Sequence, residues 1–131
     1  MIEPLIKISK RSFDETIELI EELLEAEGFA LMGSKNIEEV IRTKLGVKDF
    51  SRYTIILACK PELAKAALEA SLLSGLLFPC SFTVYEDEGE VKIGHVSIMK
   101  AIPEIGLAPF QNMKPVIEET GGYIRKIWEK L

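Results

Sequence analysis

The stretch "RYTIILAC", residues 52 to 59, constrains the fold of this chain more than any other. Branched and aromatic residues fill both of its faces, which is typical of a strand covered on both sides. Pro61 follows almost at once and suits the first position of a helix, where its missing N–H has no partner to lose. The alanine-rich run after it predicts a helix that ends near Leu73 and packs closely on a sheet.

A second strong signal is "CSFTVYEDEGEVKI", residues 80 to 93, which alternates like two strands around a turn. Cys80, Phe82 and Val84 fall on one face of the first strand, and Gly89 can supply the positive φ of a hairpin turn. In the return strand the apolar alternation changes phase at Gly94-His95. One inserted residue would produce this change, so the sequence predicts a β-bulge there, and bulges often redirect a side chain toward a site.

The other segments complete an alternation of strands and helices. Ser12 and Glu15 have the spacing of a capping box, and Gly28 marks the end of that helix. A final helix is predicted from Pro115, with "AIPEIGLAPF" as a loop before it. The order β-α-β-(short α)-β-α-β-β-α predicts an α+β fold, a mostly antiparallel sheet with helices packed on one face. Residues 1–131 are expected to form a single domain.

Charge and composition exclude several classes of function. The chain has 16 basic and 21 acidic residues and a net charge of −5, which argues against nucleic acid as a partner. No apolar run approaches the ~20 residues needed to cross a bilayer, so no membrane association is expected. The N-terminus lacks the pattern of an export signal. We therefore expect a cytoplasmic protein with reduced thiols.

Residues 57 to 91, "LACKPELAKAALEASLLSGLLFPCSFTVYEDEGEV", resemble an uncharacterised family, domain of unknown function 302. The shared pattern is Cys-x-Pro at a strand end, an alanine-rich helix, and Leu-Leu-x-Pro-Cys opening a strand. "FDETIELIEELLEAEGF" and "KNIEEVIRTKLG" also match in kind and spacing. An Asp-Pro found in many members is replaced here by Ser97-Ile98, so no role of that acid carries over. The resemblance implies a TATA-binding-protein-like fold, commonly dimeric, with no established activity, and such a fold does not imply DNA binding.

Both cysteines lie at junctions between elements. Cys59 precedes a helix N-terminus and adjoins Lys60, and both features are expected to lower the pKa of its thiol. The alternative for each cysteine is a small packing residue, and for Cys80 taken alone packing is the favoured role. Cys59 and Cys80 would be ~20 Å apart if the helix between them runs away along the sheet. They would be neighbours if the chain returns over that helix, which the antiparallel fold implied by the resemblance favours.

Two hypotheses of function follow. The first is a thiol site for sulfur or redox handling, or for a thiophilic ligand, formed by Cys59, Cys80 and Lys60. The alternative is a non-catalytic small-molecule-binding or interaction module in which the cysteines are structural. Its pocket candidates are Tyr53, Ile55, Leu57, Phe82, Val84 and His95. No catalytic motif is complete, the Cys and His spacing matches no compact zinc signature, and we predict neither a metal nor a cofactor.

The segment "AIPEIGLAPF" also predicts an assembly. Its apolar residues Ile102, Ile105, Leu107 and Phe110 lie in a stretch too rich in proline and glycine for regular structure. Contiguous exposed apolar surface commonly marks an interface, and a two-fold pair is the commonest way to cover it. We predict a homodimer in which this loop contributes to the contact. The alternative is that the loop folds over its own sheet edge.

Overall fold

A computed structural model describes residues 2–131 of the chain. Its elements follow in the order β1 (Leu5–Ser9), α1 (Phe13–Ala26), β2 (Ala30–Asn36), α2 (Ile37–Leu45), β3 (Tyr53–Cys59), α3 (Pro61–Ala70), a 3₁₀ helix (Leu72–Leu77), β4 (Cys80–Asp87), β5 (Glu90–His95), α4 (Ile98–Glu104) and α5 (Phe110–Glu129). The strands form one sheet in the order β1-β5-β4-β3-β2, and every neighbouring pair is antiparallel. The predicted α+β fold with an antiparallel sheet is confirmed.

One face of the sheet carries the main core. In β3 the buried residues are Thr54, Ile56 and Ala58, and they alternate with half-buried ones on the opposite face. Helices α1 and α5 pack against the buried face and contribute to one hydrophobic cluster with it. The expectation that β3 is covered on both sides is therefore met on one face only, and the opposite face is half-buried.

Helix α1 shows how local sequence places an element on that face. The capping box predicted for Ser12 and Glu15 is present. Thr16 donates its hydroxyl to the carbonyl of Ser12 at 2.7 Å. Ser9, at the end of β1, therefore donates to Thr16 Oγ1 over the 2.7 Å between the two hydroxyls. This buried chain of hydrogen bonds joins the end of β1 to the first turn of α1, so that Ile20 faces the sheet.

The bulge predicted at Gly94-His95 is wrong. β5 pairs with both of its neighbours in an unbroken register up to His95. The apolar phase changes there because the strand ends and a helix capped by Ser97 begins. The register shift of this sheet lies in β2, between Leu31 and Gly33, and it leaves Met32 without a cross-strand partner.

The segment predicted as a loop contains a helix. α4 spans Ile98–Glu104, and α5 begins at Phe110, so that Pro115 lies within α5 instead of starting it. α4 forms because its buried Ile102 packs, with residues of α3 and α5, into a second hydrophobic cluster. α3 also ends earlier than expected, at Ala70, and the 3₁₀ helix follows it.

Within residues 2–131, no helix combines the length and the apolar character that crossing a bilayer requires.

Candidate functional site

A cavity of about 210 Å³ lies where the sheet ends near the C-terminus of β3 and the N-terminus of β4. Its wall is mostly apolar and includes Leu63 of α3 and Met99 of α4. The polar or ionisable side chains that line it are Cys59, Lys60, Cys80, His95, Ser97 and Thr120. The sheet, α3, α4 and α5 therefore all contribute to one enclosure, which we call the thiol cavity.

Strand register brings the two cysteines together. β3 and β4 pair Ala58 with Cys80, so Cys59 is the next residue beyond that pair. The 3₁₀ helix and Phe78, which a cis peptide bond joins to Pro79, return the chain from α3 to the start of β4. Of the two arrangements left open by the sequence, the neighbouring one is confirmed and the ~20 Å separation is wrong. Cys80 shares the core face with Ala58, and both cysteines line the cavity.

The thiols are held in their protonated form. Burial raises the pKa of Cys59, and the nearby Glu62 carboxylate raises it further. Burial also raises the pKa of Cys80 to about 11; proximity to Cys59 adds to this, and a hydrogen bond with the backbone of Ser81 partly opposes it. The expectation that the pKa of Cys59 is lowered is therefore wrong in direction, since desolvation penalises the thiolate.

Lys60 does not compensate for this burial. Its ammonium donates to the carbonyl oxygen of Glu27 at 2.9 Å and lies 3.5 Å from the Glu62 carboxylate. It also lies 4.3 Å from the centre of the Tyr123 ring. With these partners, Lys60 serves to tie α3 to the end of α1 and to α5. It is also one of the residues that line the thiol cavity.

His95 presents a neutral imidazole to the site. Its Nδ1 lies 2.8 Å from the carbonyl oxygen of Ser81, and because a carbonyl only accepts, Nδ1 carries the proton. Burial lowers the pKa of His95, although this hydrogen bond partly opposes the effect. The ring stacks on Phe82 with centroids 4.3 Å apart. Nε2 is consequently left as an unprotonated acceptor on a ring whose orientation is fixed.

Thr120 in α5 is a buried polar residue whose hydroxyl lacks a hydrogen-bond partner among the described residues. Its side chain is 6% exposed, and its Oγ1 has no hydrogen-bond partner within residues 2–131. A buried hydroxyl left unpaired costs about 1–3 kcal/mol, so such groups in proteins usually have a role or a bound partner. Thr120 is also one of the residues that line the thiol cavity.

Four of the site residues predicted from the sequence line the thiol cavity: Cys59, Lys60, Cys80 and His95. The other pocket candidates do not share one wall. Tyr53, Ile55 and Leu57 lie on the open face of the sheet, while Phe82 and Val84 are fully buried in the core. The reason is register: Ile56 pairs with Phe82, so the odd-numbered residues of β3 point away from it.

Sequence reasoning missed several residues of the wall. Met32 reaches the wall from the bulge in β2. A glycine within a strand often marks a bulge, so Gly33, whose φ is 118°, is the sequence signal that could have located it. Ser97 was noted in the sequence only because Ser97-Ile98 replaces the Asp-Pro of many family members. Thr120 gave no signal, because its lack of a partner depends on tertiary packing. No three His, Cys, Asp or Glu side chains within the described part of the chain are grouped so as to hold a metal ion.

Comparison with known proteins agrees with this architecture. The family model described as "Domain of unknown function DUF302" matches residues 6–131. The fold is similar to the crystal structure of an uncharacterized conserved DUF302 protein from Bacillus stearothermophilus, with a TM-score of 0.83. The two chains are 24% identical over 95% of this chain and 94% of that one, a likeness that shows the fold alone. None of the curated proteins compared matches the chain. The protein therefore belongs to the DUF302 family, as its residues 57 to 91 led us to expect.

Proposed function

We propose that this protein is a non-catalytic binding module whose thiol cavity holds a small, largely apolar molecule. The observation that carries the proposal is the unpaired Oγ1 of Thr120, a residue in the wall of a mostly apolar cavity. Apolar surface left facing water lowers stability, and a buried polar group without a partner lowers it further. A ligand that fills the space and pairs with the hydroxyl relieves both costs.

The size of the cavity limits the ligand. Its volume of about 210 Å³ is below the ~300–1,000 Å³ of pockets for drug-sized molecules. An engineered apolar cavity of ~150 Å³ in another protein accepts benzene. The occupant of the thiol cavity is therefore about the size of one ring or of a short alkyl chain.

The polar groups limit its chemistry. His95 is neutral and both thiols stay protonated, so these three side chains offer no charge to a ligand. Lys60 already has two oxygen partners. The part of the ligand inside the thiol cavity is therefore uncharged. The soft sulfurs of Cys59 and Cys80 make polarizable contacts with this part of the ligand. Thiophilic ligands, which the sequence also suggested, are therefore among the molecules that the cavity can hold.

Thiol-based sulfur or redox handling is the second candidate function. It is favoured by one observation, that Cys59 and Cys80 are both free and line the same cavity. This function requires free thiols and therefore a reducing compartment. We propose that the protein lies in the cytoplasm, which is such a compartment. The raised pKa of both thiols ranks it second, because the thiolate is the reactive form.

Blocking the cavity tests the binding function. We expect toluene and 1-hexanol to shift the NMR signals of residues such as Leu63 and Met99, which line it. The variant Ala64→Phe places a ring into the cavity from α3 and should abolish these shifts. Lys65→Phe, on the exposed side of the same helix, should bind as the unchanged protein does. Binding that survives in Ala64→Phe, or no shifts with either probe, would refute the proposal.

We also propose that the protein forms a homodimer, with fewer apolar residues at the contact than the sequence suggested. Of the four apolar residues first considered, Ile102 is fully buried in its own chain and Leu107 is half-buried. Ile105 and Phe110 remain exposed, at 59% and 60%. Light scattering at low micromolar concentration should give twice the mass of one chain, and Ile105→Lys with Phe110→Lys should reduce it to one. A mass near 14.7 kDa for the unchanged protein would exclude the dimer.

A further inference from the structure

A second cavity adjoins the thiol cavity and differs from it in charge. It has a volume of about 300 Å³ and lies between the sheet, α4 and α5. His95, Ser97 and Thr120 line both cavities, so the two spaces border each other at these three residues. The two spaces therefore meet at the polar groups that the protein leaves incompletely paired.

The second cavity has a basic rim. Lys100 of α4 and Arg125 of α5 line it, and neither forms an ion pair with another described residue. Glu3 is the one acid among its lining residues. Since His95 is neutral, the charged side chains around this cavity sum to +1. Its floor is apolar and includes Ile117 and Ile124.

We propose that the two cavities together bind an amphipathic monocarboxylate, with its hydrocarbon part in the thiol cavity and its carboxylate toward Lys100 and Arg125. This inference rests on the proposed binding function and adds the chemical class of the ligand. A tail beside Cys80 meets a protonated thiol, whereas an anionic end at the rim of the second cavity meets Lys100 and Arg125, which form no ion pair with other described residues. Thr120 lies between them, where its hydroxyl can donate to a ligand oxygen.

The charge balance disfavours other ligand classes. A cation would face Lys100 and Arg125, and a wholly apolar molecule would leave the Thr120 hydroxyl unpaired. A dianion would exceed the single net positive charge of the rim. A monoanion with one short apolar chain or ring satisfies the hydroxyl, the cations and the apolar space together.

Matched alkyl probes test this class. Binding of butanoate, hexanoate and octanoate is measured by calorimetry at low salt, beside 1-hexanol and 1-octanol. We expect hexanoate and octanoate each to bind about tenfold more tightly than the alcohol of the same length, and to lose this advantage in 0.5 M salt. Each added methylene should tighten binding about fourfold until the thiol cavity is full.

Two double variants test whether Lys100 and Arg125 cause the preference for carboxylates. Lys100→Ala combined with Arg125→Ala should remove the preference for carboxylates and leave the affinity for alcohols unchanged. Lys114→Ala combined with Lys126→Ala removes the same charge from exposed residues that do not line either cavity, and should preserve the preference.

The outcomes separate this inference from the proposed function. Equal binding of alcohols and carboxylates, both abolished by Ala64→Phe, would overturn the carboxylate class and leave the binding function standing. A carboxylate preference that survives loss of Lys100 and Arg125 would overturn it as well. Failure of every probe to bind would overturn the binding function and this inference with it.

Discussion

Replacing Phe82 with alanine is expected to lower the free energy of unfolding by about 3–5 kcal/mol. Phe82 is 0% exposed and lies at the centre of the sheet, where it pairs with Ile56 and stacks on the His95 ring. Its removal leaves a cavity beneath α1 that the surrounding strands cannot close. Urea denaturation at pH 7 measures the loss. Because natural domains are stable by only ~5–15 kcal/mol, Phe82→Leu should be measured beside it as a milder change.

The matched control for this prediction is Phe110→Ala. Phe110 is 60% exposed, so loss of the same ring should change the unfolding free energy by no more than about 0.5 kcal/mol in the monomeric state. Similar losses for Phe82→Ala and Phe110→Ala would contradict the assignment of the core to the face of the sheet that α1 and α5 cover.

Alkylation of Cys80 in the folded protein is expected to be at least about 100-fold slower at pH 8 than in the unfolded chain. The reason is that the pKa of Cys80 is raised from 9.0 to about 11, which lowers the fraction of thiolate by about that factor. Iodoacetamide labelling of Cys59→Ser, followed by mass spectrometry, measures Cys80 alone. The rate should still be rising at pH 9.5, where that of an ordinary cysteine is levelling off.

The complementary variant, Cys80→Ser, reports on Cys59. Its pKa is raised as well, by burial and by Glu62, so Glu62→Gln should speed its alkylation. Labelling of both samples in urea supplies the unfolded reference. A rate that levels off below pH 8 for either thiol would show a stabilised thiolate and would make thiol chemistry the leading function of the cavity.

Local sequence signals predicted much of the fold. The capping box at Ser12, Pro61 at the first position of α3 and the hairpin around Gly89 are each set by residues close in the chain. α4 was missed because its helicity depends on burial of Ile102 against α3 and α5, and the prolines nearby suggested a loop. Tertiary packing can override weak local propensity in such segments.

The candidate site was predictable only in part. Cys59 and Cys80 were identified from their positions at element ends, and the resemblance favoured their proximity. The wall could not be assigned, since a shift of one residue in the pairing of β3 with β4 exchanges the two faces of a strand. The raised pKa of Cys59 was not predictable either, because it depends on desolvation and on where Lys60 finds its partners.

The pairing of β1 with β5 also orders the events of folding. Leu5 in β1 precedes every other strand in the chain, yet it pairs with His95 at the end of β5, and Lys7 donates to the carbonyl of Trp128 near the end of α5. The other three strand pairings join segments that are adjacent in the chain order. On the ribosome, β1 must stay unpaired while β2, β3 and β4 assemble, and contacts between distant segments form slowly. A nascent chain that stalls before Glu90 therefore leaves β4 without one of its neighbours and β1 without any, and both strands are open to chaperones.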